Sequence, residues 1–177
     1  MAHRSVLLAV DIGGTKTALM VVDADTHEPL AMEKYKTDPK ASPEGTVARL
    51  KRHADGLLER SGLQRKRVRA VGAAVPGQVD PGGTILTAGK LGWVEAPFRE
   101  QLSKTFGAPA SVEHDANAAA LGEKWKGHAA KVSDFVFLAL GTGVGAGLFL
   151  GGRLHRGFHH AAGEVGNMLL RKHTLSI

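Results

Sequence analysis

Twice along the chain an apolar run breaks at a cluster of glycines and resumes at once as a second apolar run. The first is Ser5–Val10, then Asp11-Ile-Gly-Gly-Thr-Lys16, then Ala18–Val22. The second is Phe135–Leu140, then Gly141-Thr-Gly-Val-Gly-Ala-Gly147, then Leu148–Leu150. A helix accommodates such clusters poorly, since each glycine costs it about 1 kcal/mol relative to alanine. Two strands around a tight turn satisfy both patterns. The chain is rich in the residue this requires: 23 glycines in 177, about 13% against a usual ~7%. Too much sequence separates the two clusters for a short solenoid repeat. They predict two halves, each offering one glycine turn, with a single ligand lying between the turns.

A Gly-Gly-Thr turn lets backbone N–H groups point into one concavity with no Cβ in the way. That is a phosphate cradle, to which Thr15 adds a hydroxyl and Lys16 a positive charge; a plain hairpin turn is the alternative reading. Asp11 at the strand end is placed to hold Mg²⁺ through water, because that ion uses one or two carboxylates together with phosphates. In the second cluster Gly141, Gly143 and Ala146 satisfy G-x-G-x-x-G/A, but that dinucleotide fingerprint must open a helix, and here a strand and a turn come next. No G-x-x-x-x-G-K-[ST] occurs, which excludes a P-loop. Between the clusters, Val112-Glu-His-Asp-Ala-Asn-Ala118 hands a strand over to an alanine-rich helix. Asp115 at that junction is a candidate base beside a cleft, or the N-cap of the helix. Asn117 bonds a substrate hydroxyl or the helix backbone. Glu164, in Gly163-Glu-Val-Gly166, is a carboxylate open to close ligand approach or an ordinary loop residue.

Elsewhere the pattern predicts a third strand at 30–35 and a helix opened by Ser42-Pro43-Glu44. Val47, Leu50, Ala54, Leu57 and Leu58 carry the helical stripe, which stops near Gly62. A buried strand over 67–75 ends at Pro76-Gly77, and 82–95 reads as loop around Trp93. Beyond it come a short helix over 97–106, a strand around Val112 and a helix over 116–126. Residues 153–166, rich in His and Gly, show no clear period.

The net charge of +6 suits either nucleic acid or an anionic small molecule such as a nucleotide. The densest basic cluster, Arg65, Lys66, Arg67 and Arg69, has no aromatic inside it and reads as a solvated loop. Cysteine is absent, which removes disulfides and thiolate metal sites from this chain. His155, His159 and His160 follow no metal-ligand period, and no zinc is expected. Five apolar residues before Asp11 are too few for a secretory signal core. The uncharged stretch 135–152 holds six glycines and makes a poor spanning helix. The expectation is a soluble cytoplasmic protein with neither membrane nor nucleic acid as partner.

With these residues assembled, the chain resembles the ROK family of sugar kinases and repressors. The matching stretches are Asp11-Ile-Gly-Gly-Thr-Lys16, Ala74-Val-Pro-Gly-Gln-Val-Asp80, Gly92-Trp93, Asp115-Ala-Asn-Ala-Ala-Ala-Leu-Gly-Glu123, Gly141–Gly147 and Ala162-Gly-Glu-Val-Gly166, in the family's order. The resemblance implies an α/β protein of the actin-like ATPase fold, built from ribonuclease-H-like halves. The first half (1–115) would be complete and the second (116–177) partial. It implies ATP and Mg²⁺ as cofactors, a hexose as acceptor with glucose the commonest, and a homodimer as a candidate assembly. Asp115 is similar to the family's catalytic base. Gly77, His114, Asp115, Glu164 and Asn167 match sugar-binding positions. Asp11, Gly13, Gly14, Thr15 and Lys16 match the first phosphate loop, and Gly141, Thr142 and Gly143 the second.

Two positions depart from the family pattern: His114 stands where Asn usually precedes the catalytic Asp, and Asn167 where a zinc-ligating His is frequent. The family's cysteine cluster and adenine pocket lie beyond the resemblance, and 168–177 does not match the family's next segment. The chain therefore reads as a truncated or frameshifted one. It is expected to bind ATP more weakly than millimolar and to self-associate through Phe135, Phe137 and Phe149. A helix-turn-helix has no room before the first strand, which disfavours a DNA-binding repressor. A non-catalytic sugar-binding regulator, or an inactive relic, remains the alternative to a kinase.

Overall fold

The computed structural model describes residues 4–141 and 143–168. Contacts divide the chain into two compact units, with the boundary after Asp115.

The first unit is organised by β1 (Val6–Ile12), in which Val6, Leu8, Val10 and Ile12 are all buried. That alternation places Leu7, Ala9 and Asp11 on the opposite face. β1 pairs antiparallel with β2 (Lys16–Asp23), matching Val10 to Leu19 and Asp11 to Ala18. β2 continues antiparallel to β3 (Pro29–Lys36), where Lys16 meets Lys36 and Ala18 meets Lys34. On its other side β1 runs parallel to β4 (Val68–Val75), which pairs parallel with β8 (Ala110–His114). The order is β3-β2-β1-β4-β8. α1 (Pro43–Arg60) packs on β2 and β3, and α2 (Phe98–Phe106) on β4 and β8. The parallel strands are fed by these crossover helices, as parallel pairing requires.

α1 starts as its sequence predicts. Ser42 caps it, its Oγ accepting from Gly45 N at 3.1 Å, with proline in the first turn. Its stripe of Val47, Leu50, Ala54, Leu57 and Leu58 joins Leu8, Val10, Val71, Phe98 and Leu102 in one core.

Residues 82–95 correct the loop expectation. They supply β6 (Ile85–Ala88) and most of β7 (Trp93–Ala96), which form a three-stranded sheet with β5 (Gln78–Val79). Strands this short carry too little alternation to be seen in sequence. They are fixed by contacts at a distance: Trp93 donates Nε1–H to the Ala41 carbonyl at 2.9 Å and lies against Phe98.

In the second unit, β9 (Phe135–Leu140), β10 (Val144–Leu150) and β11 (Arg153–His155) form an antiparallel sheet in the order β11-β10-β9. α3 (Asp115–Lys126) starts at the unit boundary. Two expectations change here. The glycine turn is shorter than 141–147, because Val144–Gly147 already belong to β10. Gly147 is glycine for packing: a Cβ there would press on Ala120 Cβ and the Ala116 carbonyl of α3. The phenylalanines are also not the exposed side chains. Phe149 is buried and stacks on the half-buried Phe135 at 4.7 Å, and Phe137 is half-buried, whereas Val136, Leu138, Leu140, Val144 and Leu150 are exposed. The aromatic positions share the α3 side of the sheet, and the aliphatic ones alternate away from it or lie at the strand end.

The β2–β3 turn is clamped by Asp23, whose side chain is 5% exposed. Its Oδ1 accepts from Asp25 N and Thr26 N, both at 2.9 Å, and its Oδ2 from Arg4 Nε at 2.5 Å. These donors, backbone first, lower its pKa to about 2. A depressed carboxyl pKa favours folding at every pH above the ordinary value of about 3.9, and that contribution vanishes as pH falls toward 2. Asp23→Asn should flatten the loss of stability between about pH 4 and pH 2, read as the urea midpoint across that range.

Candidate active site

β1 ends by delivering Asp11 and then the first glycine turn. Gly13 N donates to the Lys16 carbonyl at 3.0 Å and Thr37 N to the Thr15 carbonyl at 2.9 Å, so the turn is tied to its own strand and to the end of β3. Gly13 and Gly14 are half-buried, with Thr15 and Lys16 exposed beyond them. The Lys90 stem lies over Gly14, its Cδ 3.5 Å from where a Cβ would sit.

Asp115 arrives by a different route. β8 runs parallel to β4 and stops at His114, and α3 begins with Asp115 itself. It therefore occupies the first helical position, beyond the N-cap place its sequence offered; such boundaries shift by a residue or two. A carboxylate there is favoured by the helix dipole. Its side chain is 47% exposed, and Oδ1 lies 3.0 Å from Nε2 of the mostly buried His114.

Asp11 and Asp115 are brought close enough to feel each other's charge. Loss of hydration raises the Asp11 pKa most, the Asp115 carboxylate raises it further, and Lys34 pulls it back down. Two carboxylates brought near each other at one end of the sheet are the kind of oxygen donors that a divalent cation takes. Among the described residues no three or more His, Cys, Asp or Glu side chains gather into a metal cluster. One or two carboxylates together with phosphates is the donor set that Mg²⁺ takes, so Asp11 and Asp115 fit that ion.

Gly77 sits at φ 117° in the turn between β4 and β5, and a Cβ there would collide with the Thr87 carbonyl. Only glycine lets these backbones approach so closely. In the second unit, Gly141 N donates to the Gly143 carbonyl at 3.0 Å across Thr142, which lies outside the described residues. The segment carrying Glu164 is docked on β10 by Ala146 N donating to the Gly163 carbonyl at 2.8 Å. Glu164 is half-buried at the start of a 3₁₀ turn, Val165–Asn167. The Asn167 side chain lies outside the described residues.

The first unit thus gathers Asp11, Gly13, Gly14, Thr15, Lys16, His114 and Asp115, while Gly141, Gly143 and Glu164 belong to the second. Lys34 and Lys90 were not singled out from sequence. The alternation Lys34-Tyr-Lys36 on a predicted strand was the available signal for Lys34, and nothing local marked Lys90.

The model of the ROK family matches residues 7–176. The chain belongs to the ROK family. A ROK glucokinase from Streptomyces griseus, solved with glucose and AMPPNP, superposes with a TM-score of 0.80 at 37% identity, covering 93% of this chain and 50% of that one. The glucokinase of Streptomyces coelicolor is 33% identical over 162 residues, 91% of this chain and 49% of its own. The xylose repressor of Caldicellulosiruptor bescii is 42% identical over 103 residues, 58% of this chain and 26% of its own. The chain spans about half the length of the glucokinases it matches. Its architecture is that of the family's sugar kinases, the actin-like ATPase fold.

Because the Asp115 charge contributes to the raised Asp11 pKa, Asp115→Asn should lower that pKa toward the ordinary carboxylate value. Carboxyl ¹³C chemical shifts tracked through a pH titration read this directly; an unmoved Asp11 would show that hydration loss alone sets it.

Proposed function

We propose that this ROK chain carries out ATP-dependent phosphorylation of a hexose, glucose first among them, with Asp115 as general base. One observation supports the reading above the others. A half-exposed carboxylate stands at the start of α3, held by His114 and close enough to Asp11 for their charges to interact. Lying at the same end of the sheet as the glycine turn, it is suited to accept a proton next to a bound phosphate.

In this reading the backbone N–H groups of the Gly13–Lys16 turn and the Lys16 ammonium hold the phosphates, and the Gly141–Gly143 turn acts likewise. His114 holds one carboxylate oxygen and so orients Asp115. Asp115 takes the proton of the sugar hydroxyl while that oxygen bonds to the γ-phosphorus, and the bond from the γ-phosphorus to the bridging oxygen breaks to release ADP. Gly77, His114, Glu164 and Asn167 are the proposed sugar contacts. Asp11 would hold Mg²⁺ through water, and the bound ion would neutralise phosphate charge. Among the described residues no helix is long and apolar enough to cross a membrane, and a cytoplasmic site of action is part of the proposal.

A sugar-sensing role without turnover is favoured by a separate observation, the match to a xylose repressor over more than half of this chain. The base separates the two. A sensor needs sugar contacts but no proton acceptor, whereas a kinase loses its chemistry with Asp115.

In a ROK protein of the relatives' full length carrying these residues, Asp115→Asn should lower kcat by about 10²–10⁴ and leave nucleotide binding nearly unchanged. ADP release coupled to a dehydrogenase, with glucose and N-acetylglucosamine as separate acceptors, measures both the loss and the preference. Retention of more than a tenth of the turnover would return Asp115 to a helix-terminus role.

A further inference from the structure

We infer that Tyr35, which belongs to none of the site motifs, is a positioning residue for the first glycine turn. The turn is not anchored by its own strand alone. Thr37, one residue past β3, donates its N–H to the Thr15 carbonyl at 2.9 Å. The Thr37 hydroxyl in turn meets that of Thr17 at 2.9 Å, and both residues are buried. Where Thr15 stands therefore depends on where the end of β3 stands. β3 is the edge strand of its sheet, beside β2. An edge strand has one ladder where an inner strand has two, so side-chain contacts weigh more at its end.

Those contacts are made to α1. Glu33 and Tyr35, two apart on β3, share the face that α1 covers. Arg49, His53 and Arg60 meet them from one flank of the helix. The Tyr35 ring stacks on the His53 imidazole, with centroids 3.7 Å apart and planes within 5°, and the Arg49 guanidinium lies 5.1 Å from the Tyr35 centroid. His53 Nδ1–H donates to Glu33 Oε1 at 2.6 Å, and Arg60 bonds the other carboxylate oxygen. Loss of hydration opposes ionisation of Glu33, but these two partners hold its pKa below the usual range. Aromatic pairs prefer to offset or tilt, so a face-to-face stack this close is imposed by its surroundings. Glu33 fixes the imidazole, and the imidazole fixes the ring.

From the ring the constraint passes to the turn. Tyr35 lies directly opposite Thr17 in the β2–β3 register. Its phenol oxygen is hydrogen-bonded to the same Thr17 hydroxyl that meets Thr37. Burial pushes the phenol pKa up, so the group stays a neutral O–H. Tyr35 also lines the groove of about 430 Å³ that runs beside Thr15 and Lys16. Removing the ring would free the end of β3 to move, and Thr15 with it. Tyr35 thus acts through the backbone, setting where the N–H groups of the turn stand.

Amide hydrogen exchange on the 177-residue chain, with no ligand present, is the first test. Tyr35→Leu and His53→Ala should each speed exchange of the Thr37 and Gly13 amides about tenfold, the upper range of what one aromatic pair carries. Because the two rings act as one clasp, the double variant should add little to either single change. Tyr35→Phe keeps the stack and should restore most of the protection. The Val71 amide, bonded to the Pro109 carbonyl, is the reference and should not change. An unmoved Thr37 amide, an equal rise at Val71, effects that multiply in the double variant, or no rescue by phenylalanine would each overturn the proposal. The consequence for binding rests on reading the Gly13–Lys16 turn as a phosphate cradle. In a ROK protein of the relatives' full length carrying these residues, Tyr35→Leu should raise the nucleotide KM about tenfold and lower kcat far less. A fall in kcat with KM unmoved would also overturn it. Absent ADP release in the unmutated protein would count against the kinase reading instead, and would leave the exchange result standing.

Discussion

Every functional group of the first unit depends on β1 being held from both sides. Val6, Leu8, Val10 and Ile12 are buried in the core shared with α1 and α2, and pairing to β2 and β4 fixes their register. With a side-chain period of two, burying those four residues forces Asp11 onto the other face. A slip of one residue would send Asp11 into the core and Ile12 into water. The hydrophobic alternation is thus also what aims a carboxylate at the mouth of the glycine turn.

Asp115 reaches the same neighbourhood through parallel pairing. β8 joins the sheet beside β4 and ends where β4 ends, so its terminal residues and the start of α3 fall near the end of β1. In open α/β sheets this carboxyl end of the parallel strands is where ligands bind. One carboxylate from β1 and one from the start of α3 meet there, and the raised Asp11 pKa reflects first its loss of hydration and then the Asp115 charge. Lys34, in the same row two strands away, draws that pKa back down.

Legibility varied along the chain for identifiable reasons. α1 could be read almost to the residue because Ser42, Pro43 and the Val47–Leu58 stripe act locally. The first hairpin could be read because apolar runs flank Gly13 and Gly14 closely. β6 and β7 were missed because four-residue strands are held by Trp93 reaching Ala41 and Phe98, contacts that leave no local period. The exposed Phe expectation failed for a related reason: Phe135 and Phe149 pair across strands on the side where α3 packs, and only the pairing decides which alternate residues that side receives.

The sequence by itself determined the family, the glycine turns and the chemical identity of Asp11, Lys16 and Asp115. Those depend on residue types at short spacing, where backbone preference and side-chain chemistry act within a few positions. Only the tertiary structure decided that Asp115 lies within electrostatic reach of Asp11, about a hundred residues earlier, and that Lys16, Lys34, Lys36 and Lys90 surround one turn. Those outcomes depend on strand order and register. These are set by burying one continuous core, and no local stretch of chain encodes that alone.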